Sequence, residues 1–135
     1  MTAVTKRCDQ HFVPKSWGHE VWIHNQEYCG KQLYIRENKW TSYHYHLNKD
    51  EVIYCASGEV GIYFVEQVEN GPQIVRQVFL REGDSIHVTP GTKHQIHAIK
   101  DSILYEFSTH HEDQDSHRIS QELQHLIPSV GVHRG

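Results

Sequence analysis

Short apolar runs, each closed by a turn signal, recur along the middle of this chain and leave no stretch long enough for a helix there. Residues 31–36 alternate, with Leu33 and Ile35 on one face and Gln32, Tyr34 and Arg36 on the other. Glu37-Asn38-Lys39 is a turn in which Asn38 tolerates a left-handed backbone. Runs follow at 41–46, 52–56, 60–65, 74–80, 85–88, 95–99 and 103–107, with Ser57-Gly58, Asn70-Gly71-Pro72, Gly83-Asp84 and Pro90-Gly91 among the breaks. About eight strands at spacings of roughly 8–12 residues predict an all-β sandwich or barrel. Only Ile119, Glu122, Leu123, Leu126 and Ile127 recur at helical spacing, which predicts a short C-terminal helix ended by Pro128. The expected organisation is a tail over 1–14, one domain over 15–120, and the helix with a second tail over 121–135.

Two of these strands carry ligand chemistry. His44 and His46 lie one residue apart and therefore project from the same face of a strand, with Ser42 in the same parity. Glu51 follows the turn over 47–50, and His94 follows a second turn segment running from Gly83-Asp84 to Thr92-Lys93. Three imidazoles and one carboxylate with open positions predict a site for one divalent transition metal. Zn, Fe, Mn, Ni and Co all suit that donor set.

Composition narrows the function classes. Thirteen Lys and Arg against seventeen Asp and Glu give a net charge of −4, which leaves a nucleic-acid partner without an electrostatic footprint. No run approaches the ~18 apolar residues of a membrane span, and residues 1–10 lack the apolar core of a signal peptide. Three widely spaced cysteines without a Cys-x-x-Cys pair fit reduced thiols and a cytoplasmic location, with Cys55 an inert thiol in an apolar strand. Most of the thirteen histidines are expected at the surface, and His11, His19, His24, His117, His125 and His133 stand outside any ligand spacing.

The two histidine segments resemble the two motifs of the cupins, which are jelly-roll barrels of eight strands. His44, His46, Glu51 and Gly58 follow the first motif, with Asn38 in place of its leading glycine. Gly83, Gly91 and His94 follow the second, with Thr89 where a proline is usual, Pro90 beside it, and no final Asn. Within that superfamily the chain is similar to small sugar isomerases of the type II mannose-6-phosphate isomerase kind. Lys15-Ser16-Trp17-Gly18, Gly30-Lys31, residues 42–51, residues 81–85, residues 90–94 and Phe107-Ser108-Thr109 carry that likeness, over about residues 14–120. The pattern departs at His44, where Gln is usual, and at Lys49, where Arg is usual. The first change adds a metal ligand and the second removes a guanidinium fork.

The resemblance implies a single cupin double-stranded β-helix and a metal-dependent aldose–ketose isomerase that works through an enediolate. His44, His46, Glu51 and His94 would hold the metal, and the substrate would be a sugar or sugar phosphate. For proton transfer, Glu51, His97 and Tyr105 are the catalytic candidates. Tyr105 shares a face with Ile103 and Phe107, which places it inward and Glu106 outward. Lys31, in the parity of Leu33 and Ile35, and Ser42 are the substrate-binding candidates. Trp17, Trp22 and Trp40 are expected on the outer face or at a subunit contact, and Tyr34 and Arg36 on the outward face of their strand suggest a homodimer. Two other functions use the same ligands: an Fe(II) dioxygenase and a non-catalytic carbohydrate- or metabolite-binding module.

Overall fold

The computed structural model describes residues 2–119 and 133–134. Among the described residues twelve strands form two six-stranded sheets. The first sheet has the order β1 (His11–Lys15), β2 (Gly18–Asn25), β3 (Tyr28–Ile35), β10 (Ser102–Thr109), β5 (Glu51–Ser57) and β8 (Ser85–Val88). The second has the order β11 (Ser116–Arg118), β4 (His44–His46), β9 (His94–Ala98), β6 (Glu59–Gln67), β7 (Gln73–Arg81) and β12 (His133–Arg134). All neighbours pair antiparallel except β7 with β12. This is the expected all-β jelly roll. Among the described residues the only helical pieces are 3-10 turns at Arg7–Asp9 and Asp113–Asp115. From residue 120 on, the expected C-terminal helix falls outside the described residues.

One core joins the sheets. Leu33, Ile35, Ile53 and Leu104 from the first meet Val60, Ile62, Leu80 and Ile96 from the second, with Trp17 at one end. Each fully buried Ile or Leu here contributes about 1.5–3 kcal/mol through the apolar surface it removes from water. A second cluster, Tyr43 and Tyr63 with Trp40, Val65, Val75 and Ile119, packs on the outer side of the second sheet.

The turns behave as the sequence indicates. Asn38 and Asn70 take positive φ angles of 64° and 57°. Gly58 ends β5 at φ 86°, and a Cβ there would collide with Ser102 Oγ and the Asp101 carbonyl oxygen. Two expectations change. Residues 11–14, expected in a tail, form most of β1, in register with β2 from His11↔Trp22 to Lys15↔Gly18. Trp17 and Trp22, expected outside, face the interior: Trp17 is buried in the core, and both line the main cavity between the sheets. Trp40 alone packs outside, against Tyr63.

Candidate metal centre

β4 presents His44 and His46, and β9 opens with His94 directly opposite His44. One ligand nitrogen from each of the three rings lies within 4.8 Å of the others. Main-chain carbonyls fix the rings: Nδ1 of His44 lies 2.9 Å from the Ser42 oxygen, Nδ1 of His46 lies 3.1 Å from the Asp115 oxygen, and Nδ1 of His94 lies 2.8 Å from the Thr92 oxygen. A carbonyl only accepts, so each Nδ1 donates to its carbonyl and Nε2 is the ring atom left to face a metal. Burial, and then the neighbouring His94, push the pKa of His44 down to about 3. Burial, and then the Lys49 ammonium, push that of His46 down to about 4. Both rings are therefore neutral ligands at pH 7.

Glu51, the first residue of β5, is buried beside them. Its Oε1 lies 3.5 Å from His94 Nε2 and its Oε2 lies 3.8 Å from His46 Nε2. Burial alone would raise this carboxyl's pKa, but the His94 ring and Lys49 outweigh it and hold the group well below the usual carboxylate range. Oε2 sits 3.2 Å from Lys49 Nζ as an ion pair, yet has no hydrogen-bond partner. Lys49 also reaches Glu106 Oε2 at 2.6 Å and His111 Nδ1 at 3.1 Å. Lys49 thus bridges the two buried carboxylates and holds Glu51 beside the imidazoles. The Glu51 oxygen that lacks a hydrogen bond and the three converging ring nitrogens fit a single divalent transition metal.

The centre opens into a cavity of about 650 Å³ between the sheets. Lys31, Ser42, Lys49, Glu106 and His111 line it, with His11, Lys15, Asp113 and Arg118 also on its wall. Burial, and then the proximity of Glu51, push the Glu106 pKa up. For Lys49, burial pulls the other way, but Glu106 and Glu51 outweigh it and keep the ammonium charged. Burial lowers the pKa of Lys31. His111 has a lowered pKa, from burial first and then from Lys31 and Lys49, and its Nε2 donates to Asp113 Oδ1 at 2.9 Å.

Of the residues singled out from the sequence, His44, His46, Glu51 and His94 come together, and Lys31 and Ser42 line the same cavity. Two do not. Tyr105 faces outward and its hydroxyl accepts from Gln32 Nε2 at 3.1 Å, whereas its neighbour Glu106 is buried in the cavity. The buried residues of β10 are Ser102, Leu104 and Glu106, and Phe107 is 56% exposed. Because the outer face of this sheet is itself aromatic, an apolar parity pointed the wrong way. His97 also faces outward, stacked on Trp40 at 4.2 Å and bonded to Asn38 Oδ1 at 3.0 Å. A residue three positions beyond an inward strand residue lies on the opposite face, which is the reason. Sequence reading missed Lys49, Glu106, His111 and His11. For Glu106 the parity of Leu104 was the available signal, and for His111 there was none.

Residues 34–107, more than half of the chain, match the family model of the cupin domain, Cupin_2. No curated protein matches the chain. Among solved structures, oxalate decarboxylase from Bacillus subtilis is similar at 14% identity and a TM-score of 0.69, over 98% of this chain and 38% of that one. The capsular polysaccharide assembling protein CapF from Staphylococcus aureus is similar at 14% identity and 0.68, over 82% and 31%. KdgF from Halomonas sp. is similar at 13% identity and 0.64, over 84% and 98%. The chain thus spans less than two fifths of the first two proteins and nearly all of the third. At such identities the likeness shows the fold. Together with the family match over its central strands, it establishes that this chain belongs to the cupin family.

Proposed function

We propose that the cavity carries out a metal-dependent aldose–ketose isomerisation of a sugar or sugar phosphate. The observation that carries this reading is a buried carboxylate, Glu106, held by Lys49 at 2.6 Å in the same cavity as the three imidazoles. A metal held by His44, His46 and His94, with Glu51 as a fourth ligand, would supply a Lewis acid that makes the proton beside a substrate carbonyl more acidic. Glu106 takes the role first assigned to Tyr105: it lifts that proton from one carbon and returns it to the next. Its raised pKa brings it closer to neutral, where such a carrier is most effective. Lys49 fixes the carboxylate's orientation and offsets its charge. Ser42 and Lys31 hold the hydroxyl and far ends of the substrate, and about 650 Å³ accommodates a molecule of hexose size.

The test is proton-exchange NMR of the metal-loaded protein in D2O with aldoses, ketoses and their phosphates. Deuterium at C1 or C2 supports the reading. Its absence across the panel, with metal bound, overturns it.

One observation favours a second reading, an Fe(II) dioxygenase. A separate cavity of about 350 Å³, in which Ile62, Phe64, Ile86 and Val88 stand beside Glu66, His87 and Thr92, also reaches His94 and offers a second approach by which O2 could come to the centre. Oxygen consumption by the Fe(II)-loaded protein distinguishes it from the isomerase, which turns over without oxygen.

The outer face of the first sheet exposes Phe12, Tyr28, Tyr54 and Phe107, an aromatic surface of the kind that subunits cover. A homodimer through this face is the proposed assembly. Light scattering should give twice the chain mass, and Phe107→Lys should return it to one.

A further inference from the structure

Lys31 is an anomaly in this cavity. Its side chain is 2% exposed, and among the described residues it makes no hydrogen bond. The nearest carboxylate oxygen, Glu20 Oε1, is 3.8 Å away and already accepts from Trp22 Nε1 at 2.9 Å. Its other contact is the Trp22 ring, 4.2 Å below the ammonium. An ammonium on the cavity wall whose nearest carboxylate oxygen stands 3.8 Å away keeps donors free to meet an anionic group that enters the cavity.

We infer that the substrate carries a carboxylate and that Lys31 binds it, so that the cavity takes a sugar acid. This inference rests on reading the cavity as the substrate site. Register supports the placement. Lys31 pairs with Trp22 on one side and with Glu106 on the other, so a carboxylate on Lys31 lies against an aromatic face and beside Glu106. From there the sugar chain extends past Glu106 towards the imidazoles.

Charge favours an anion over a neutral sugar. The cavity wall carries Lys15, Lys31, Lys49 and Arg118 against Glu20, Glu51, Glu106 and Asp113, four of each sign. A divalent metal therefore leaves this wall net positive, although the whole chain is at −4. A carboxylate is favoured over a phosphate because Lys31 offers one ammonium flanked by Glu20, which repels a dianion more than a monoanion. Phosphates are usually cradled by backbone N–H groups at a helix N-terminus or a Gly-rich loop, and no helix stands among the described residues to provide one.

The test is calorimetric titration of the metal-loaded protein with D-glucuronate, D-glucose and D-glucose 6-phosphate, and with the matching galacto set. In at least one set the acid should bind ten times more tightly than the neutral sugar and more tightly than the phosphate. Lys31→Gln should bring acid and neutral sugar to within about twofold while metal content stays the same. Should that variant fail to fold, Lys31→Arg keeps the charge and should keep the preference for the acid. The wild-type comparison needs no variant. Acids that bind no better than neutral sugars in both sets, a tighter phosphate, or a preference that survives Lys31→Gln each overturn the inference. Binding is read without turnover, so missing deuterium exchange refutes the isomerase alone, and exchange on neutral sugars only refutes the role of Lys31 alone.

Discussion

His46 shows how much one side chain here is asked to do. Its Nδ1 ties β4 to Asp115 across 69 residues of sequence, and its Nε2 points at the centre. His46→Ala should lose most of its metal, since it removes one of the three clustered imidazoles and leaves only His44, His94 and Glu51, and metal analysis by mass spectrometry reads this directly. Unchanged metal content would overturn the assignment. The lowered pKa values add a second expectation. At pH 6 an ordinary imidazole with a pKa near 6.5 is about three-quarters protonated and releases that proton on binding a metal. His44 and His46 are already neutral at that pH, so they should release almost none. Calorimetry at pH 6 in buffers of different ionisation enthalpy measures the number. A release of about 1.5 protons from these two rings would contradict the burial that the structure gives them.

At the scale of the strand, β10 decides which side chain can carry the proton in an isomerisation. Tyr105→Phe should remove only the hydrogen bond to Gln32 on the outer face and leave turnover intact. Glu106→Gln should cut turnover a hundredfold or more while metal remains bound, because a buried amide cannot carry the proton. Equal losses in both variants would exclude Glu106 as the proton carrier. The same strand shows what the sequence conceals. Strand positions were legible because Asn38, Gly58, Asn70-Gly71 and Pro90-Gly91 punctuate them. Side-chain direction was legible on β4, where His44 and His46 share a face with Ser42. It was misleading on β10, where the cavity buries Glu106 and the outer face exposes Phe107. The rule that apolar residues point inward fails where a polar cavity replaces core, which is where function resides. His111 was illegible for another reason. Asn25 fastens it from 86 residues away, accepting from its N–H at 2.8 Å and donating to its carbonyl at 3.0 Å.

For the whole molecule, metal and fold are linked. The three imidazoles come from strands of the second sheet, while Glu51 comes from the first, so an ion held by all four would bridge the two halves of the barrel. Chelation should lower the melting temperature by on the order of 10 °C when the metal is present at about a hundred times its dissociation constant. Scanning calorimetry with and without chelator checks this, and equal melting temperatures would argue against the bridge. The metal-free protein should also weaken as pH falls from about 6.5 towards the values of about 3 and about 4 at His44 and His46. In that window the unfolded chain binds protons that the native rings refuse. Among the described residues no helix is long and apolar enough to cross a membrane.

The carbonyls of Ser42, Thr92 and Asp115 that orient the three rings belong to the main chain, and every amino acid has one. Ligand geometry is therefore inherited from the path of the backbone and owes little to which side chains occupy those three positions. Substitutions on the cavity wall away from Lys49 and Ser42 can then accumulate, by drift or by design, without moving the carbonyls that aim the rings. A scaffold of this kind can change what it acts on while keeping the reactive centre it acts with.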